Sequence, residues 1–122
     1  MLGYVTLGTN QQEKACAFYD ALMGSIGFGR LFDDGKLVIW GKSMEEADVG
    51  ITTPLDDQPA TVGNGVMVAM QMKSTEDVDA FYQTALELGA TDEGAPGPRI
   101  EGFYAGYFRD LDGNKLNAFH LG

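Results

Sequence analysis

The feature that most constrains this chain is an internal repeat. Val78, Phe81, Tyr82 and Ala85 follow Ala15, Phe18, Tyr19 and Leu22 at a constant offset of 63 residues, and Ala17-Phe18-Tyr19 returns as Ala80-Phe81-Tyr82. At the same offset Tyr4 falls on Met67. Both sets sit in the same context, a short alternating strand followed by apolar residues at helical spacing, so the chain reads as one module written twice, of order strand, helix, then three strands.

The local signals place the elements. LGYVTLG over residues 2–8 alternates as a strand, and Asn10 is positioned to cap a helix with Glu13 at N3, the helix running over 10–26 until glycines at 24, 27 and 29 stop it. Strands follow at Phe28–Phe32, Leu37–Gly41 and Val49–Thr53, the first two joined by Asp33-Asp34-Gly35. Pro54–Asn64 is polar, rich in turn formers and without apolar period, so it serves as a linker between modules of about 1–56 and 64–122 within one domain. The second module opens with the strand Gly65–Met72, and Ser74 caps a 74–88 helix with Asp77 at N3. Thr91–Pro98 begins the return strands, but Gly94–Gly102 holds three glycines and two prolines and reads as a loop able to cover a cleft, with Arg99 as its cation. The clearest hairpin is Tyr104–Phe119, turning at Asp112-Gly113, where Asp110 and Asn114 can bond the local backbone. That turn is not a calcium loop, because its glycine is fourth instead of sixth and the twelfth position is Leu121.

Composition excludes several functions. With 44% hydrophobic residues in 122, the chain can bury one real core, and no apolar run approaches the ~18 residues of a membrane span. Eighteen acidic against eight scattered basic residues give a net charge of −10, unsuited to nucleic acid, which needs clustered cations. The same charge keeps a protein soluble and would draw small cations toward a cleft it lines. Residues 1–10 carry no basic or long apolar leader, and the lone Cys16 cannot close an internal disulfide, so a cytoplasmic location is expected. Cys16 reads as a small core residue with no His placed to activate it, and His120 as a surface strand residue. No P-loop, nucleophile elbow or dinucleotide fingerprint is present, and no cofactor is expected.

A duplicated module of this length that opens GYVTLGTN, carries two Ala-Phe-Tyr helices and closes on RDLDGNKLNAF resembles the vicinal oxygen chelate superfamily, which includes glyoxalase I, bleomycin-resistance proteins and extradiol dioxygenases. The resemblance implies an α+β fold of two βαβββ modules whose curled mixed sheets enclose a cavity, commonly completed in a homodimer. It also implies a divalent metal held by a His in the first strand, a His or Gln in its counterpart, and Glu residues in the last strands. At the aligned places this chain has Tyr4, Met67 and Asn117, and residues 49–55 offer no carboxylate or imidazole. The usual metal site is therefore absent, and no metal is expected.

Strand alternation from those three positions lines the cavity with Tyr4, Thr6, Met67, Ala69, Gln71, Asn117 and Phe119, an apolar and aromatic surface with a few neutral polar groups. Arg99 is a candidate contact for a ligand anion, and Trp40, Tyr104 and Tyr107 are either further lining residues or core. The expected function is metal-free binding of a small, planar or cationic organic molecule. The alternative is a lyase or isomerase of glyoxalase type, or a dioxygenase-related enzyme, using Tyr4, Arg99 or Glu101 in place of a metal.

Overall fold

The computed structural model describes residues 1–122, the side chain of Ala47 excepted. The chain divides into two units, Met1–Val62 and Gly63–Gly122. The first runs β1 (Val5–Gly8), α1 (Gln12–Gly24), β2 (Gly29–Asp33), β3 (Leu37–Gly41), one turn of 3-10 helix at Met44–Glu46, and β4 (Ala47–Thr52). The second runs β5 (Val68–Gln71), α2 (Thr75–Glu87), β6 (Thr91–Ile100), β7 (Phe103–Arg109) and β8 (Lys115–Leu121). Each unit forms a four-stranded mixed sheet, ordered β1-β4-β3-β2 and β5-β8-β7-β6, in which the first strand lies parallel to the last and the other pairs are antiparallel. This is the expected α+β architecture of two βαβββ modules.

The repeated aromatics hold each helix on its own sheet. In the first unit Phe18, Tyr19, Leu22 and Met23 of α1 are buried together with Val38, Trp40, Val49 and Ile51 of the sheet. Tyr19 meets Trp40 with ring centroids 5.5 Å apart, and the Trp40 indole N–H donates to Asp20 Oδ1 at 2.9 Å, which satisfies its polar edge. In the second unit Val78, Phe81, Tyr82 and Ala85 pack against Phe108, Leu116 and Ala118, with Phe81 and Phe108 centroids 6.1 Å apart. Gly106 permits this approach, since a Cβ there would lie 2.9 Å from Pro96 Cγ and 3.3 Å from Tyr82 Cδ1.

Two local expectations change. The N-cap position of α1 falls on Gln11; the Asn10 amide instead bonds both the N–H and the carbonyl of Ala60, at 2.7 and 3.0 Å, and so ties down the segment after β4. Ser74 does cap α2, its hydroxyl accepting from Asp77 N–H at 3.1 Å. The larger correction concerns Gly94–Gly102, read from composition as a loop: residues up to Ile100 belong to β6, with register shifts between Asp92 and Gly94, Gly94 and Gly97, and Pro98 and Ile100. Edge position explains it, because β6 pairs only with β7 and an edge tolerates prolines that donate no hydrogen bond. The hairpin turn is as its residues suggest: Asp110 Oδ1 accepts from the N–H groups of Asp112 and Asn114, both at 2.9 Å, and Gly113 takes φ 88°.

Replacing Phe81 with Ala is expected to destabilise the protein by ~3–5 kcal/mol in urea unfolding, because its ring is 1% exposed; a loss below about 1 kcal/mol would remove it from the core. Tyr82 gives a pH signature. Burial first, and then the Asp92 carboxylate accepting its hydroxyl at 2.7 Å, push the phenol up to about 12. The folded state thus keeps a proton that the unfolded chain releases near ~10, so this contribution is complete below that pH and is lost as pH rises toward 12. Spectrophotometric titration should show a late-ionising tyrosine that disappears in Tyr82→Phe, and a wild-type titration without that late step would contradict the assignment.

Candidate functional site

Strand alternation in the second unit separates two faces. Tyr104, Gly106 and Phe108 of β7, with Leu116 and Ala118 of β8, look toward α2, and the Tyr104 hydroxyl donates to Asp79 Oδ1 of that helix at 2.6 Å. The carboxylate holds the Tyr104 phenol above its ordinary value. The opposite face carries Phe103 and Tyr107 of β7, Lys115, Asn117 and Phe119 of β8, and Ala69 and Gln71 of β5. Of the residues expected in the site, Gln71, Asn117 and Phe119 share this face, whereas Tyr104 lies on the other.

The face is built around Tyr107. Asn117 stands opposite it in the β7–β8 register, and Phe103 stacks on Phe119 with centroids 5.5 Å apart. Arg99 folds back so that its guanidinium donates to the carbonyls of Ala95 and Gly97, at 2.6 and 3.1 Å, with its Cζ 5.3 Å from the Tyr107 ring centre. Gly94 and Gly97 make room for it, since a Cβ at either would come within 3.3 Å of a guanidinium nitrogen. Lys115 Nζ approaches the same ring at 5.5 Å. Both cations gain from the negative face of the aromatic ring. Asn117 is 1% exposed, and its Oδ1 has no hydrogen-bond partner, which leaves an acceptor where burial makes an unmade bond expensive.

The remaining expected residues lie elsewhere in their units. Tyr4 and Met67 immediately precede β1 and β5 and are 49% and 40% exposed, and Thr6 is an exposed residue of β1. In the first unit the β1–β4 register puts Gly50 where the second unit has Asn117, opposite Thr6 as Asn117 is opposite Ala69. Trp40 is fully buried on the α1 side of its sheet. Cys16 is buried, with desolvation raising its thiol, and Gln12 Nε2 donates to its sulfur at 3.5 Å. His120 Nδ1 donates to the Met72 carbonyl at 3.0 Å.

A crevice of about 390 Å³ lies in the first unit between α1 and the β2–β3 hairpin, lined by Gln12, Cys16, Asp20, Arg30, Asp33 and Val38 among others. Its polar groups answer one another. Arg30 pairs with Asp20 and Asp33, each at 2.8 Å, and holds the Asp20 carboxyl below the usual carboxylate range, while Trp40 takes a further bond to Asp20. A ligand there would compete with bonds already made.

The donor set does not fit a divalent transition metal. A phenol, a thioether and an amide stand at the three aligned places, and among the described residues no three His, Cys, Asp or Glu side chains converge. Sequence reasoning missed Lys115 and left Tyr107 undecided. Alternation from Asn117 would have put Lys115 on the same face, whereas Tyr107 needed the β7–β8 register.

Comparison with known proteins agrees with the fold. The profile of the Glyoxalase/Bleomycin resistance protein/Dioxygenase superfamily matches residues 1–118. A glyoxalase/bleomycin resistance protein from Albidiferax ferrireducens is similar at 38% identity and a TM-score of 0.89, covering 100% of this chain and 99% of its own. A glyoxalase/bleomycin resistance protein/dioxygenase family enzyme from Burkholderia phytofirmans, at 19% identity and TM-score 0.79, covers 98% of both chains. A lactoylglutathione lyase from Agrobacterium tumefaciens, at 19% and 0.72, covers 98% of this chain and 92% of its own, and these two distant likenesses speak for the fold alone. None of the curated proteins matches significantly. With the profile spanning nearly the whole chain and a close structural relative of the same description, the chain belongs to the glyoxalase/bleomycin resistance protein/dioxygenase superfamily.

Proposed function

We propose that this protein binds a small planar organic molecule without a metal, on the sheet face opposite α2 in the second unit. The observation that carries the reading is the buried Asn117 with an unpartnered Oδ1, set opposite Tyr107 and beside the stacked Phe103 and Phe119. Aromatic walls with one or two fixed polar groups suit capture and orientation of a flat ligand. The charge-based expectation of a cation fits this face poorly, because Arg99 and Lys115 both stand on it. An enzymatic role finds less support: Tyr4 lies exposed before β1 in the first unit, and Glu101 lies exposed between β6 and β7. The buried, disulfide-free Cys16 suits a reducing cytoplasm.

A homodimer is the working form in this reading. Each sheet leaves two edge strands, and Phe32, Val62, Val66 and Met67 are exposed apolar residues that pairing of chains would cover.

A thermal-shift screen of planar aromatic compounds in buffer containing EDTA should find stabilisers, and their effect should be lost in Asn117→Leu, a variant that removes the orphan acceptor and is expected to fold at least as stably. Stabilisation that appears only after adding a divalent metal would overturn the metal-free reading. Sedimentation equilibrium at micromolar concentration should give twice the 13.1 kDa chain mass, and a monomer at high micromolar concentration would reject the dimer.

A further inference from the structure

The pairing of cations in this chain is uneven. Arg30, Lys36 and Arg109 each have a carboxylate within 2.9 Å: Asp20 and Asp33 for the first, Asp57 for the second, Glu93 for the third. Five cations, Lys14, Lys42, Lys73, Arg99 and Lys115, have none among the described residues, and of these Arg99 and Lys115 stand at the Tyr107 ring. The two reach it from different strands. Arg99 is also immobilised: two carbonyls of its own strand accept from it, and the missing side chains of Gly94 and Gly97 provide its berth. Ordering a long side chain without a protein counter-charge is unfavourable in itself, and holding one in a fixed pose is what a preorganised recognition group requires.

We propose that Arg99 and Lys115 form the anion-recognising end of this site, so that the ligand is a planar organic anion. Its carboxylate, phosphate or phosphonate oxygens would be met by Arg99 and Lys115, its flat body would lie along Tyr107 and the Phe103–Phe119 stack, and a donor on it would bond Asn117 Oδ1. The proposal rests on the binding reading given above and names the ligand class. Arg99 uses one bond from each terminal nitrogen on the backbone, which leaves further N–H donors for an anion. The net charge of −10 opposes an approaching anion only at long range, where salt screens it beyond about 8 Å at physiological ionic strength, whereas the two cations act at contact.

The test is isothermal titration calorimetry of the full chain with 2-naphthoate, 2-naphthyl phosphate, the neutral isostere 2-naphthamide and inorganic phosphate. The anionic naphthyl probes should bind at least about tenfold more tightly than the amide, as charge-assisted hydrogen bonds exceed neutral ones. Arg99→Gln and Lys115→Gln should each weaken the anionic probes by a larger factor than naphthamide and so narrow the difference between them, which a merely structural role, weakening all probes alike, would not do. The preferred oxyanion is the one whose affinity falls further in Arg99→Gln. Naphthamide binding as tightly as the anions, or anion affinity indifferent to both substitutions, overturns the anion proposal and leaves the binding reading standing. Inorganic phosphate binding as tightly as naphthyl phosphate also overturns it, since the flat body would then contribute nothing. If no aromatic probe of any charge binds, both readings fall together.

Discussion

The register between the first and last strand of each module is the constraint on which the rest depends. Val68 pairs with Leu116 and Ala69 with Asn117, and in the first unit Val5 pairs with Val49 and Thr6 with Gly50. A strand shows alternate residues to opposite faces, so a slip of one position would send Leu116 and Ala118 away from α2 and turn the Asn117 amide into the core. The apolar residues under the helix therefore fix the register, and the register presents Asn117, Lys115 and Phe119 on the other side. Core and candidate site are two faces of one pairing.

The two units spend the same scaffold differently. In the first, the hydrogen-bonding capacity near the helix closes on itself: Asp20 receives Arg30 and the Trp40 indole, and Arg30 extends to Asp33. Exposed ion pairs of this kind contribute little to stability, but they leave no group seeking a partner. In the second, the helix side is also satisfied, through Tyr82 with Asp92 and Tyr104 with Asp79. Its other face is not, with a buried acceptor and two cations lacking counter-charges around one tyrosine. Buried polar groups in folded proteins are ordinarily bonded, and the exception at Asn117 is the observation on which the proposed binding role rests. At the equivalent register position the first unit has Gly50 and the second Asn117, so only the second carries a side-chain amide there.

Much of the fold was legible because it rests on local period and exact repetition. The helices through Phe18-Tyr19 and Phe81-Tyr82, the Ser74 cap and the Asp110–Asn114 turn each follow from a few neighbouring residues. Composition misled where position in the sheet prevailed. Glycines and prolines over 94–102 suggested a loop, yet at an edge strand those residues bulge and remain paired. Asn10 looked like a cap until a segment fifty residues away took its amide.

The sequence by itself determined the duplicated βαβββ order, the aromatic helix faces and the absence of the usual metal donors at Tyr4, Met67 and Asn117, because each depends on residue identity and short-range spacing. Only the tertiary structure decided that Tyr104 turns to α2 while Tyr107 turns away, that Trp40 is core, and that Arg99 and Lys115 meet over one ring. Those facts depend on which strand lies beside which, on bulges that shift the register, and on glycines that let a guanidinium lie against the backbone, and none of these is a property of a residue and its neighbours along the chain.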